Sequence, residues 1–262
     1  PWLPEGERLP GSAPLPPDWS VGVSAPIYNS FDQVVTNYGI ACLEDAAGNV
    51  YSANSFTGTN SVGTNEFAAG SGRFATVLMK LNSTGSLIWG RSMTNSGNGN
   101  SYPQCLATAP GNGVYMSGVF IGTNGLGTNQ LTEIGGSTTY LARFDSAGNI
   151  LWVRTIGGTN ACFQGYHQLV SDPAGNVTIS ALGENYTSVS GVTNLLLNGQ
   201  RGVLAQFDAN GALRWVSQPS SWCQNLAYGN GRIYAAMGGA ETNYAGGLTN
   251  TSDRHWALVA LN

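Results

Sequence analysis

The residues suited to acid–base or metal chemistry are few and scattered along the chain. The two histidines, His167 and His255, have neither a metal-ligand spacing nor a nucleophile elbow beside them. Glu44 and Asp45 are adjacent, so on a strand their side chains point to opposite faces and cannot act on one substrate. No Asp-x-Asp-x-Asp calcium loop occurs. The sequence therefore predicts a protein that is not an enzyme, with no catalytic residue, metal or cofactor.

The four cysteines offer disulfide chemistry, and their even number fits an oxidising compartment. Cys42 and Cys105 each lie 47 residues before a tryptophan of an internal repeat, on a strand expected to line a central channel. We expect Cys105 to pair with Cys162 and Cys42 with Cys223, which is one of three possible connectivities. The alternative is that all four are buried free thiols that act as small apolar side chains.

The tryptophan rings could stack on sugars or pack between structural units. Trp89, Trp152 and Trp215 are spaced 63 residues apart in similar segments, and Trp19 stands in an alternating segment of the same kind. One position shared by every unit is typical of packing, because a buried indole removes a large area from water. We therefore expect these four tryptophans to dock neighbouring units. Outside the repeat, and freer to make other contacts, are Trp2, Trp222 and Trp256.

The repeat also contains turn signals that divide each unit into strands. An Asx residue opens and a glycine closes a short turn before the repeated tryptophans, at 82–85, 145–148 and 208–211. A Gly-Asn turn near residues 48, 111, 175 and 229 precedes another strand. The first unit is predicted to have strands at about 40–44, 50–55, 75–82 and 87–93, with a long loop between the second and third. The next two units follow at offsets near 63.

Four such four-stranded units are typical of an all-β, four-bladed β-propeller, and a β-solenoid is the structural alternative. The fourth unit stops at its third strand with Asn262, and Asp18–Val23 has the tryptophan and the alternation of the missing strand. We expect this N-terminal strand to close blade 4, because closure of the ring leaves no unpaired edge. The expected domains are an arm over 1–17 and one propeller over 18–262.

These motifs resemble a known family. An Asp-x-x-Gly-Asn-Val-Tyr segment such as 45–51, followed by a Leu-x-x-Phe-Asp-x-x-Gly segment and a tryptophan, is similar to bacterial β-propeller repeats of secreted and surface proteins. It also resembles the tryptophan-docking blades of quinoprotein-type propellers. The resemblance covers about residues 18–262 and implies the propeller fold rather than an activity. The quinone and calcium site of quinoproteins has no counterpart in this sequence.

Composition excludes two classes of partner. Charged residues make up 9% of the chain, the net charge is −4, and Lys80 is the only lysine, so nucleic-acid binding is not expected. No apolar run reaches the ~20 residues that span a bilayer, so membrane insertion is not expected either. Apolar residues form 42% of the chain, which indicates a folded protein. No signal peptide is visible, and we expect a mature, processed chain.

The proline-rich arm favours self-assembly as the function. Prolines keep such a segment extended, and here it leads directly into the closing strand. We expect an extracellular or cell-surface structural subunit that forms a surface layer or filament of itself through this arm and the propeller faces. The alternative is a secreted module that binds a glycan or a protein through its polar Thr-Asn-rich loops. The expected assembly residues of the arm are Pro1, Trp2, Leu3, Pro4, Pro10, Pro14, Leu15, Pro16 and Pro17.

Overall fold

The computed structural model describes residues 41–159, 167–190, 193–219, 222–239 and 255–261. These residues form 18 β-strands and no helix, and every strand pair among them is antiparallel. The all-β prediction is confirmed. Within the described residues, no helix of the length and apolarity needed to span a membrane is present. The closing strand 18–23 and the arm 1–17 lie outside the described residues.

The strands follow the repeat in four consecutive units, which we call repeats 1 to 4. Repeat 1 contains β1 (Ala41–Glu44), β2 (Val50–Thr57), β3 (Thr59–Val62), β4 (Asn65–Ala68), β5 (Phe74–Leu81) and β6 (Leu87–Ser92). Repeat 2 contains β7 (Thr94–Ala109), β8 (Gly113–Leu126), β9 (Asn129–Thr132), β10 (Thr138–Phe144) and β11 (Ile150–Thr159). Repeat 3 contains β12 (Gln168–Ser171), β13 (Val177–Val189), β14 (Thr193–Phe207) and β15 (Leu213–Ser217). Repeat 4 contains β16 (Trp222–Gly229), β17 (Arg232–Gly239) and β18 (His255–Leu261).

Each of the first three repeats is an up-and-down meander of four main strands. In repeat 1 the order is β1-β2-β5-β6, and the same order recurs as β7-β8-β10-β11 and β12-β13-β14-β15. Repeat 4 has the three-stranded order β16-β17-β18. The strand positions predicted from the Asx, glycine and tryptophan signals are confirmed in repeats 1 to 3, because the turns that those signals specify set the register of each hairpin.

The turn before each repeated tryptophan is built as its residues dictate. Asp145 Oδ1 accepts hydrogen bonds from the backbone N–H groups of Ala147 and Asn149 at 2.9 and 2.8 Å. Gly148 closes the turn with a φ of +80°, a conformation that glycine adopts without a steric penalty. The turns opened by Asn82 and Asp208 have the same hydrogen bonds. A local side-chain acceptor and one glycine therefore define the third hairpin of each unit.

The segment expected to be a long loop between the second and third strands is instead a β-hairpin. In repeat 1 it forms the two-stranded sheet β3-β4, and in repeat 2 the extended end of β8 pairs with β9. In both hairpins a buried asparagine stabilises the bend at its base. Asn60 Nδ2 donates to Thr57 O, and Asn124 Nδ2 donates to Ile121 O, each at 2.9 Å. Thr-Asn dipeptides are typical of loops, and the sequence therefore predicts loops here. In the structure these asparagine amides instead donate hydrogen bonds to backbone carbonyls within a hairpin.

The third strand of each meander is buried on both faces. Along β10, Leu141 belongs to the apolar cluster shared with repeat 3, while Tyr140 and Phe144 belong to the cluster shared with repeat 1. Along β14, Val203 belongs to the cluster shared with repeat 2, and Leu204 belongs to the cluster shared with repeat 4. The core of the molecule therefore lies between consecutive repeats, and alternate side chains of one strand supply two interfaces.

Repeats 2 and 3 are also joined through their backbones. The end of β11 pairs with the outer part of β13, with Ile156 opposite Val189 and Thr159 opposite Tyr186. This pairing makes one continuous nine-stranded sheet from the two repeats. The hairpin made by the ends of β13 and β14 consequently lies beside strand β11, next to the groove described below.

Candidate functional site

The register of repeats 1 and 2 places a tyrosine, a cation and a tryptophan in one cross-strand row. In repeat 1 Tyr51 is opposite Lys80, which is opposite Trp89. In repeat 2 the row is Tyr115, Arg143 and Trp152. Neighbours in such a row are close enough to interact, and Lys80 Nζ lies 4.8 Å from the centre of the Tyr51 ring. These rows face the following repeat.

Two expected docking tryptophans bind the turn of the next repeat. Trp89 Nε1 donates to Ser146 O and Trp152 Nε1 donates to Ala209 O, both at 2.9 Å. Both residues are 8% exposed. A Cβ added to Gly148 would lie 2.8 Å from the Trp89 ring, and one added to Gly211 would lie equally close to the Trp152 ring. The glycine that closes each turn therefore also admits the indole of the preceding repeat.

Arginine and tyrosine side chains reinforce the same boundaries. Arg91 Nε donates to Gly148 O at 3.0 Å, and Arg154 Nε donates to Gly211 O at 2.6 Å. Each guanidinium also lies over its neighbouring indole. The tyrosine hydroxyls extend the pattern, since Tyr51 donates to Asn112 O and Tyr115 to Gly175 O, at 2.5 and 2.6 Å.

The row in repeat 3 makes its tryptophan hydrogen bond within its own repeat instead of to the next one. It consists of Thr178, Gln206 and Trp215, and the Trp215 indole donates to Gln206 Oε1 at 3.1 Å within its own repeat. Glutamine has an acceptor oxygen that lysine and arginine lack, so it can bind this indole N–H. Asn262, at which the sequence predicts the corresponding turn of repeat 4, lies outside the described residues, as do Trp2 and the fourth expected docking residue, Trp19.

The only lysine is occupied by a buried ion pair. Lys80 Nζ lies 2.9 Å from Asp45 Oδ2, and both side chains are buried. Burial alone would raise the pKa of Asp45, but hydrogen bonds from Asn49, Lys80 and Ala47 outweigh it and lower the pKa to about 2. Burial would lower the pKa of Lys80, yet its contacts with Tyr51 and Asp45 raise it above the ordinary value. The pair is charged and structural.

His167 is buried and neutral. One ring nitrogen, Nε2, lies 3.1 Å from Thr139 Oγ1, and Nδ1 has no hydrogen-bond partner among the described residues. Burial lowers the pKa of His167 to about 4. Glu44 is exposed while the adjacent Asp45 is buried. Among the residues that the structure describes, no three His, Cys, Asp or Glu side chains are grouped so as to hold a metal ion.

The structure corrects the expected disulfides. Cys42, Cys105 and Cys223 are free thiols, and Cys162 lies outside the described residues. Cys42 is exposed on β1, whereas Cys223 is buried on β16 with its thiol donating to Asn225 O at 3.2 Å. The two cysteines are not at equivalent places, since Cys42 lies opposite Ser52, one residue after Tyr51, whereas Cys223 lies opposite Met237, three residues after Tyr234. Burial raises the pKa of Cys223 to about 11, so this thiol is protonated.

An open polar groove lies between repeats 2 and 3. It has a volume of about 890 Å³ and is bounded by the β8–β9 hairpin, strand β11, Ser190 and the start of β15. Most of its lining side chains are uncharged, and Arg154 is its one cation among the described residues. No sequence motif marks this groove, because its walls come from separate repeats. The residues that form its polar lining include Thr128, Asn129, Gln130, Thr132, Thr155 and Ser190.

Comparison with protein-family models finds no match for this chain, and a search of curated proteins finds none either. Function is therefore argued from the arrangement of the residues themselves.

Replacing Trp152 with alanine should lower the free energy of unfolding by about 3–5 kcal/mol, because it removes a buried aromatic ring and its inter-repeat hydrogen bond. Denaturant unfolding measures the change. Trp215→Ala is the matched control, and its loss should be smaller since this ring is less buried and bonds within its own repeat. Coincident unfolding midpoints for Trp152→Ala and wild type would contradict the docking role and favour sugar stacking.

Protonation of His167 should make stability depend on pH. Its pKa is lower in the folded chain, about 4, than the ordinary 6.5, so the unfolded chain binds the proton first as the pH falls. Stability should be full above about pH 6.5 and decline by about 3 kcal/mol in total towards pH 4. Unfolding measured at several pH values in wild type and His167→Gln tests this. An unchanged pH dependence in the variant would show that His167 is not its source.

Proposed function

We propose that the four repeats form a four-bladed β-propeller. Three observations support this arrangement: successive four-stranded meanders, apolar clusters between consecutive repeats, and a tryptophan contact that recurs after 63 residues, each time to a carbonyl 57 residues further along the chain. On β5, Leu78 belongs to the cluster shared with repeat 2, while Val77 and Met79 belong to another and are only 2% exposed. This second cluster consists of repeat 1 residues and includes Val62 and Phe67 of the β3–β4 hairpin, so repeat 1 itself covers that face of β5.

Closure of the proposed ring depends on β18. Among the described residues β18 pairs with β17 alone, so its other edge has backbone groups available for a further strand. Residues 18–23 have the alternation and the tryptophan of the fourth strand in the other repeats. We propose that this segment pairs with β18 of its own chain, because a short connection to repeat 1 gives it a high effective concentration.

We propose that the protein is a non-enzymatic, extracellular structural subunit that assembles with copies of itself. The observation that supports this proposal is that cationic side chains of the protein are engaged in internal contacts. Lys80, Arg91, Arg143 and Arg154 bond to a carboxylate or to backbone carbonyls at the repeat boundaries, as is appropriate for a rigid scaffold. With few charges left on the surface, long-range repulsion between copies is weak. The proline-rich arm over 1–17 is the proposed contact with the next subunit.

A second candidate is a module that binds a glycan or a protein. The polar groove between repeats 2 and 3 favours it, because concave sites with convergent hydrogen-bonding groups are typical of ligand binding. The two functions are compatible, since the groove and the proposed arm contact are formed by different residues. The extracellular location is proposed from the low charge and from the resemblance to secreted propeller repeats.

Deleting residues 1–17 should leave a folded monomer that no longer assembles, because the arm makes the contact between subunits. Deleting residues 1–23 should also lower the unfolding temperature, because it removes the strand that pairs with β18. Light scattering after size-exclusion chromatography, electron microscopy and thermal unfolding measure these outcomes. If the chain lacking residues 1–17 assembles as well as the whole chain does, the structural-subunit proposal is overturned and the binding module remains as the proposed function.

A further inference from the structure

We propose that the groove between repeats 2 and 3 binds an acidic saccharide, with Arg154 receiving the carboxylate of a uronic acid. This inference goes beyond assembly, because it assigns a ligand to a surface that the proposed arm contact does not use. The volume of about 890 Å³ lies in the range of small-molecule sites.

The lining suits sugar hydroxyl groups. Thr128, Gln130 and Thr132 come from the β8–β9 hairpin, and Thr155 contributes a hydroxyl from strand β11. Hydroxyl and amide side chains both donate and accept, so they can match the mixed donors and acceptors of a saccharide. The outer hairpin residues Gln130 and Thr128 are exposed, and an incoming ligand can therefore reach them.

The guanidinium of Arg154 is held in place at the groove wall. Its Nε donates to Gly211 O at 2.6 Å, its Nη1 donates to Val153 O at 2.8 Å, and it lies 5.7 Å from the centre of the Trp152 ring. Among the described residues, Nη2 has no hydrogen-bond partner. A guanidinium fixed in this way loses little further freedom when it binds a planar carboxylate.

The carboxylates that flank the lining segments in the sequence do not neutralise Arg154. Glu133 Oε2 accepts the Gly122 N–H at 2.7 Å, and Asp208 Oδ1 accepts the Ala212 N–H at 2.8 Å. In the part of the chain that the structure describes, no carboxylate forms an ion pair with Arg154. Among the described residues, the groove therefore presents one positive charge without an ion-pair partner, surrounded by neutral polar groups, which favours a ligand that combines hydroxyls with an anionic group.

Repeat 1 has the same arginine in a different setting. Arg91 repeats the Nε and Nη1 contacts, but its Nη2 donates to Ala147 O at 3.4 Å. The ring of Phe67 lies so close to Gly90 that a Cβ there would be 2.2 Å from it. The corresponding residues in repeat 2 are Leu131 and Val153, which leave the groove without an aromatic ring across it. Arg91 is thus a matched control for Arg154, with the same Nε contact to the turn of the next repeat and different surroundings.

The test is calorimetric titration of the whole chain with tetragalacturonic acid, with a glucuronate-containing tetrasaccharide and with the methyl ester of the first. The account predicts saturable binding of at least one acid. Arg154→Gln, or esterification of that acid, should weaken binding about tenfold or more, the loss expected for one charge-assisted hydrogen bond. Arg91→Gln should leave affinity unchanged. Gln130→Ala, on the exposed hairpin, should weaken binding without lowering the unfolding temperature.

The variants separate ligand contact from stability. Arg154→Gln and Arg91→Gln both lose a contact to the next repeat, so a shared loss of affinity would reflect stability alone and would overturn the proposal. Absence of saturable binding by either acid, or equal affinity for the acid and its ester, would also overturn it. If Arg154→Gln does not fold, the comparison of acid with ester and the Gln130→Ala variant decide the outcome. Self-association measured on the same samples reports separately on assembly.

Discussion

The indole-to-carbonyl hydrogen bond between consecutive repeats is the interaction on which the rest of the structure depends. A four-stranded meander has two apolar faces and cannot bury both of them alone. Trp89 and Trp152 bury their rings against the glycine of the next turn and satisfy their N–H groups on its carbonyls. The contact joins repeat 1 to repeat 2 and repeat 2 to repeat 3, the two boundaries between which β10 divides its side chains.

Some polar side chains form contacts between repeats, and others remain available on the surface. Tyrosines and cations of repeats 1 and 2 reach into the following repeat, while Gln206 turns the row of repeat 3 inward. The boundary between repeats 3 and 4 is held by an apolar cluster that includes Leu204, Cys223 and Met237. The outer hairpins, which these contacts do not use, carry the neutral hydroxyls and amides of the groove.

The strands were predictable from the sequence because local chemistry specifies them. Asp145 and Gly148 define a turn by themselves, and the 63-residue spacing then transfers the assignment to the other repeats. The hairpin at Asn124 was missed because its amide bonds to carbonyls that only the folded bend brings near. The expected Cys42–Cys223 disulfide was wrong: both thiols are free, and the two residues stand at different register positions of their repeats, which only the strand pairing reveals. The groove was invisible because no single repeat contains it.

Amide hydrogen exchange along β18 tests the proposed closed propeller most directly. In an antiparallel strand that is paired on one side only, every second N–H faces away from its partner and exchanges readily. The account predicts that the interior amides of residues 255–261 are all protected, since β17 binds one edge and residues 18–23 bind the other. Exchange of alternate β18 amides at the rate of an unstructured peptide would contradict ring closure.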